Sequence, residues 1–212
     1  MKLPRSPLHA ICDADACERA GWTLVDLASA CLDGGARVLQ IRAKHASSRW
    51  LFETTLAVIE RARSAGAVVI VNDRPDITRL AAADGVHVGQ DDLAPGLVRS
   101  VAGPGAIVGL STHTVGQIQA GAGEPVNYIA IGPVFGTATK ETGYDAIGLD
   151  RVREASAHAR ARALPLVAIG GITLERAPAV IQAGAEAVAV ISDLLATGNP
   201  EARVRALLAA LA

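Results

Sequence analysis

The chain has 212 residues, 50% of them hydrophobic and only 3% aromatic, with a formal net charge of −1. That length supports one sizeable core and excludes two ordinary domains joined by a linker, so residues 1–212 are expected to form a single domain. The near-zero charge excludes nucleic-acid or membrane-surface binding through bulk charge, so any cationic site must be local.

Short apolar runs alternate with helical stretches along the whole chain. Leu8–Cys12 reads as a strand, and Trp22–Leu32 as a helix stopped by Gly34-Gly35. Val38–Arg42 is the second strand. Ser47 and Ser48 can cap a helix that runs to about Ser64, before Gly66. Val68–Val71 follows, then a short helix, Pro75–Ala83, with Pro75 suited to its first turn. Gly85–Gly89 leads to Pro95–Val101, Ile107–Thr112 to Val115–Ala120, and Asn127–Gly132 to the irregular stretch Pro133–Gly148. Helix Leu149–Arg162, strand Leu166–Gly170, helix Leu174–Ala183 and strand Ala187–Ser192 complete the series. The last helix, Glu201–Leu211, is expected to close the barrel. Eight β-then-α units predict an α/β protein with a single (β/α)8 TIM barrel. In that fold the active site lies at the C-terminal rim of the strands.

Cys12, Cys17 and Cys31 have neither disulfide-framework nor zinc-ligand spacing, which reads as ordinary reduced thiols. Met1–Arg5 contains no apolar segment of signal-peptide length, and no apolar run is long enough to span a membrane. A soluble cytoplasmic protein is expected.

The strand ends collect the unusual polar residues. In the segment Gln40-Ile41-Arg42-Ala43-Lys44, alternation puts positions 40, 42 and 44 on one side. On the barrel interior and mouth, these would present an amide and two cations. The third run ends in Asn72-Asp73, and the fourth leads through His87 to Gln90-Asp91-Asp92. Neighbouring strands lie about 5 Å apart, so Asp73 and Asp92 can converge. Two such carboxylates repel unless a proton or cation sits between them. With Arg42 and Lys44 nearby, they fit a Mg2+ ion shared with substrate phosphates. Asp92 can instead be a helix N-cap, and Asp91 is expected to face solvent. Ser111, Thr112 and His113 can bind a ligand or merely cap a helix. His87 in an apolar strand fits a satisfied core residue as well as a site residue.

In the loop Gly132–Lys140, the hydroxyls of Thr137 and Thr139 and the Lys140 ammonium can wrap phosphate oxygens. Phosphate sites in these barrels are commonly built from the loops after strands 7 and 8. Gly170-Gly171 and Ile191-Ser192 stand at those places. Arg42, Lys44, Lys140 and Mg2+ set against Asp73 and Asp92 leave a surplus of about +3, which matches a diphosphate ester. One diphosphate and one monophosphate ligand point to a condensation that expels pyrophosphate.

These residues resemble the thiamine phosphate synthase family. The resemblance rests on Gln40–Lys44, Asn72-Asp73, Asp84–Asp92, Ser111–Thr114, Gly132–Lys140, Gly170–Ile172 and Ile191-Ser192, in order over nearly the whole chain. It implies that hydroxymethylpyrimidine diphosphate is joined to a carboxylated or simple thiazole phosphate. The products would be thiamine phosphate and pyrophosphate, with CO2 from the carboxylated form. It further implies that Asp73 and Asp92 bind one Mg2+. Gln40, Ile41, Arg42, Ala43, Lys44, Asn72, Ser111 and Lys140 would bind the pyrimidine diphosphate, with Arg42, Lys44, Ser111 and Lys140 acting in catalysis. Thr137, Ala138, Thr139, Gly171, Ile191 and Ser192 would bind the thiazole phosphate. Partners are expected to be small-molecule substrates, with no nucleic acid or membrane; the chain is compatible with a homo-oligomer. Two rival readings are a thiazole tautomerase of the same superfamily, with His113 as acid/base, and a non-catalytic phosphate-ligand sensor.

Overall fold

The structure, a computed structural model, describes residues 3–136 and 144–212. Its strands are β1 (Leu8–Asp13), β2 (Val38–Arg42), β3 (Val68–Asn72), β4 (Gly85–Val88), β5 (Ile107–Thr112), β6 (Tyr128–Ile131), β7 (Leu166–Ile169) and β8 (Ala187–Val190). Each pairs in parallel with the next, and β8 returns to β1 with Val188 opposite Leu8. This is the expected (β/α)8 barrel. Closure comes from the β1–β8 ladder and not from the last helix.

The helices are α1 (Ala14–Ala20), α2 (Leu24–Asp33), α3 (Ser48–Ala65), α4 (Pro75–Ala81), α5 (Pro95–Ala102), α6 (Val115–Gly121), α7 (Gly148–Arg160), α8 (Ala177–Gln182) and α9 (Pro200–Ala210). Local chemistry sets their starts. Thr23 accepts from the Asp26 amide to open α2, and Ser47 from the Trp50 amide to open α3. Helix α1 is not legible in the sequence, because it follows β1 directly with no proline or glycine to mark its start. It forms because Asp13 ends β1 and caps the next turn, accepting from the Ala16 amide at 2.9 Å. Helix α9 packs on α2, where a Cβ on Gly34 would lie 2.8 Å from the Val204 Cβ.

Strand parity divides the core into two shells. On β2, Leu39 and Ile41 face the helices, while Val38 joins Ile11, Ile70, Ile107, Tyr128 and Val167 inside the barrel. Tyr128, 1% exposed, sits in this inner shell. Gly109 on β5 is its register partner and makes room for the ring. A Cβ there would lie 2.1 Å from Tyr128 Cζ and 2.5 Å from His87 Nδ1. Gly109→Ala should therefore lower stability by roughly 1–3 kcal/mol through overpacking. Denaturant unfolding would detect this, and an unchanged midpoint would mean that Tyr128 has another place to go.

Candidate active site

Inward-facing positions on five strands bring His9, Gln40, Arg42, Asn72, His87 and Tyr128 around one cleft at the barrel mouth. A polar cluster here is costly unless its members satisfy each other. His87 does this between two hydroxyls: Nδ1 lies 2.8 Å from Tyr128 Oη, and Nε2 lies 2.8 Å from Ser111 Oγ. A neutral imidazole has one donor and one acceptor, so its tautomer decides which hydroxyl receives a proton. The Tyr128 ring also packs flat on His87 and edge-on to His9. Burial pushes the His9 imidazole down to about 4, which leaves it neutral at pH 7. Burial raises the Tyr128 phenol, and the neighbouring Gln40 amide opposes that rise.

Arg42 lies in this cleft, 8% exposed, and is ion-paired through Nη1 with Asp13, which is 2% exposed. Sequence reasoning missed Asp13. Its only signal was an acidic residue closing an apolar run. The charge count therefore needs correction: Asp13 lowers the expected surplus by one. The Arg42 Nε is buried and has no hydrogen-bond partner among the described residues. A buried donor of this kind calls for an acceptor, and an anionic ligand in the cleft would supply one. Gln40 and Arg42 share the inner side, as strand alternation predicts. Ile41 is fully buried among the helices and Ala43 packs against the same outer shell, so any ligand contact at these two positions falls to the backbone.

A more polar region of the mouth contains Lys44, Asn72, Asp73, Asp92 and Ser111. Lys44 Nζ stands 3.5 Å from Asp73 Oδ2. Asp73 holds a left-handed backbone at φ +61°, an uncommon conformation tolerated best by residues such as Asp and Asn, and its amide donates to the His87 carbonyl. Asp92 Oδ2 accepts from the Gly89 amide at 2.7 Å. It thus organises its own loop and does not cap α5, whose flanking residue is Ala94. Asp91 is exposed, as expected. Burial raises the Asp73 carboxyl, the adjacent Asp92 carboxylate raises it further, and Lys44 opposes both. Among the described residues, no three His, Cys, Asp or Glu side chains form a metal cage. Two hard carboxylates without a cage fit Mg2+, which takes its remaining ligands from water and substrate oxygens. Such a donor set does not suit a structural zinc.

The other half of the mouth is a cavity walled by the ends of β5 to β8, including Gly171, Ile172, Ile191 and Ser192. Gly170 and Gly171 take φ of +102° and +61° and lie against Pro133 and Phe135 too closely for any Cβ. Ser192 begins a one-turn 3-10 helix, Ser192–Leu195. Asp193 fixes that turn: it is 7% exposed, pairs with Arg203 Nε at 2.9 Å and Nη2 at 2.7 Å, and accepts from the Leu174 amide. One carboxylate thus ties the loop after β7 to the loop after β8. Thr114, and none of Ser111, Thr112 or His113, caps α6 with its side chain. His113 Nδ1 donates to the Gly132 carbonyl at 2.6 Å, and its ring stacks on Tyr144 at 4.0 Å. Thr137, Ala138, Thr139 and Lys140 lie outside the described residues.

The family model described as thiamine monophosphate synthase matches residues 8–194. The chain is 43% identical over 185 residues to a thiamine-phosphate synthase of Roseiflexus castenholzii, covering 87% of this chain and 80% of the relative. It is 40% identical over 210 residues to one of Chlorobium luteolum, covering 99% and 95%. A solved structure of thiamine phosphate pyrophosphorylase from Pyrococcus furiosus superposes with a TM-score of 0.86 at 27% identity, covering 96% of this chain and 94% of that one. Neither the tautomerase nor the sensor reading finds support among these relatives.

The paired carboxylates give a prediction with a definite sign. A raised Asp73 favours the folded chain below the ordinary carboxylate range, and that contribution is lost as pH rises through the raised value. A cation must displace the proton, so its affinity should rise with pH over the same window. Mg2+ should therefore raise the melting temperature more at pH 7.5 than at pH 5, and Asp92→Asn should remove most of the difference. Equal shifts at both pH values would overturn this pairing.

Proposed function

Because the chain belongs to the thiamine monophosphate synthase family, we infer that it is a transferase joining hydroxymethylpyrimidine diphosphate to thiazole phosphate, with release of pyrophosphate. The observation that carries the residue assignments is the Arg42 guanidinium: pinned by Asp13, yet with a buried Nε–H left for a ligand. That arrangement suits a diphosphate held beside the Asp73–Asp92 pair.

In this reading Gln40 and Asn72 orient the aminopyrimidine at the bottom of the cleft, the amide of Gln40 matching both a donor and an acceptor on the ring. Arg42, Lys44 and Lys140 bind the diphosphate oxygens. Asp73 and Asp92 would hold Mg2+, which when bound neutralises part of the diphosphate charge and so favours its departure. Ser111, accepting a hydrogen bond from the Nε2–H of His87, keeps its own hydrogen to donate to the departing group. The C–O bond to the pyrimidine methylene breaks with its electron pair staying on pyrophosphate. The amino-substituted ring supports the positive charge left on that carbon. Thr137, Ala138, Thr139, Gly171, Ile191 and Ser192 hold the thiazole phosphate so that its ring nitrogen faces the methylene carbon, and the nitrogen lone pair forms the new C–N bond. The preorganised cations do the main work, since charge accumulates on the leaving group and no proton need be removed from the nucleophile. Loss of CO2 follows only from a carboxylated thiazole. The small substrates need neither a nucleic-acid nor a membrane surface. No helix among the described residues is long and apolar enough to cross a membrane. A cytoplasmic setting agrees with this chemistry.

The test is pyrophosphate release with product identified by mass. Release should require both Mg2+ and thiazole phosphate and should yield thiamine phosphate. Asp92→Asn and Ser111→Ala should each lower turnover by roughly 10²-fold, the scale of one lost transition-state contact. Conversion of the thiazole without coupling, or diphosphate binding without turnover, would each reject the synthase reading.

A further inference from the structure

Arg176 takes no part in the roles assigned above, yet it bridges the two loops that enclose the second cavity. It is exposed and precedes α8 on the turn that follows β7. Its Nη1 donates to the Gly171 carbonyl at 2.9 Å, and its Cζ lies 4.8 Å from the Phe135 ring centroid. The loops it joins are pressed together. The Phe135 amide donates to the Gly170 carbonyl at 3.0 Å, and a Cβ on Gly171 would come within 2.6 Å of the Gly136 carbonyl oxygen.

A trans peptide points its C=O and N–H in opposite directions. Arg176 draws the Gly171 carbonyl toward the exposed side. The Ile172 N–H of the same peptide is therefore directed away from Arg176, and Gly171 and Ile172 both line the cavity. No lysine or arginine is among the described residues lining that cavity. Among the described residues, an anion there can meet backbone N–H groups and the Ser192 hydroxyl, and positive charge set just behind the wall adds to them. The guanidinium, one hydrogen bond removed from the lining, is placed to provide that charge. The Phe135 ring beneath it holds that positive charge against the wall, a contact that any cation reaching the same place can make.

Resting on the reading that this cavity takes the thiazole phosphate, we propose that Arg176 is a positioning residue for that phosphate. It orients the Gly171–Ile172 peptide and sets one positive charge behind it, without touching the ligand.

The experiment compares wild type, Arg176→Met and Arg176→Lys by calorimetry with thiazole phosphate, with the unphosphorylated thiazole alcohol and with the pyrimidine diphosphate, alongside steady-state kinetics. Methionine keeps an apolar stem for Phe135 but has no charge and no donor. Lysine keeps both and can reach the same carbonyl. Arg176→Met should weaken thiazole phosphate binding and raise its KM roughly tenfold, the scale of one charge-assisted hydrogen bond. Its kcat and its affinity for the pyrimidine diphosphate should stay within about twofold. Arg176→Lys should recover most of the loss. An unchanged affinity in Arg176→Met, equal losses in both variants, or an equal loss toward the alcohol would each overturn this role alone. Wild-type protein that binds no thiazole phosphate would overturn the proposed function, and this role with it.

Discussion

Closing eight parallel strands into a barrel leaves every strand residue only two places to face, and the site follows from that restriction. Inward positions on β1, β2, β4, β5 and β6 carry His9, Gln40, Arg42, His87, Ser111 and Tyr128. A slip of one residue in any strand would send its polar group into the apolar shell under the helices and its apolar neighbours into the cleft. The outer shell of Leu39, Ile41, Val69 and Val71 on β2 and β3 resists such a slip because it is dry and close-packed. Apolar burial on one side of each strand thus fixes polar placement on the other.

The polar interior is stable because its members answer one another at short range. Asp13 compensates Arg42 in a place where a lone guanidinium would be strongly unfavourable. Tyr128, His87 and Ser111 satisfy one another in a row. Against that order, two local conflicts remain. Among the described residues, Arg42 Nε has no acceptor, and Asp73 sits beside Asp92 with Lys44 offsetting part of the repulsion. Both conflicts would be relieved by the same visitor, a diphosphate accompanied by a divalent cation. Disfavoured arrangements of this kind in a well-packed barrel are where binding energy has something to act on.

Among the described residues, the second half of the mouth presents backbone and hydroxyls and no lysine or arginine. Glycines at 170 and 171 let the loops after β6 and β7 touch, and Asp193 locks the loops after β7 and β8 through Arg203 and the Leu174 amide. Arg203 and Asp193 are both largely buried, so the pair acts as a fixed strut and not as a screened surface contact. On the proposed function, the division of labour between the two halves is physical. A diphosphate bearing about three charges needs several cations and a metal, whereas a monophosphate can be held largely by oriented N–H groups.

The sequence by itself determined the barrel, the order of its strands and the rim residues. The reason is that apolar runs of β length, turn glycines and cap residues act locally and leave a readable period. It also placed Gln40 and Arg42 on one side of β2, since parity needs no tertiary information. Only the tertiary structure decided that Asp13 faces Arg42 across the β1–β2 ladder, that His87 links Tyr128 to Ser111, and that Asp193 is a strut between two loops. These partners lie 10 to 41 positions apart. Helix α1 was hidden for a related reason: its capping carboxylate is also the last residue of a strand, and nothing in seven residues reveals which duty governs. Local patterns record what a segment wants to be, and closure of the barrel decides what it meets.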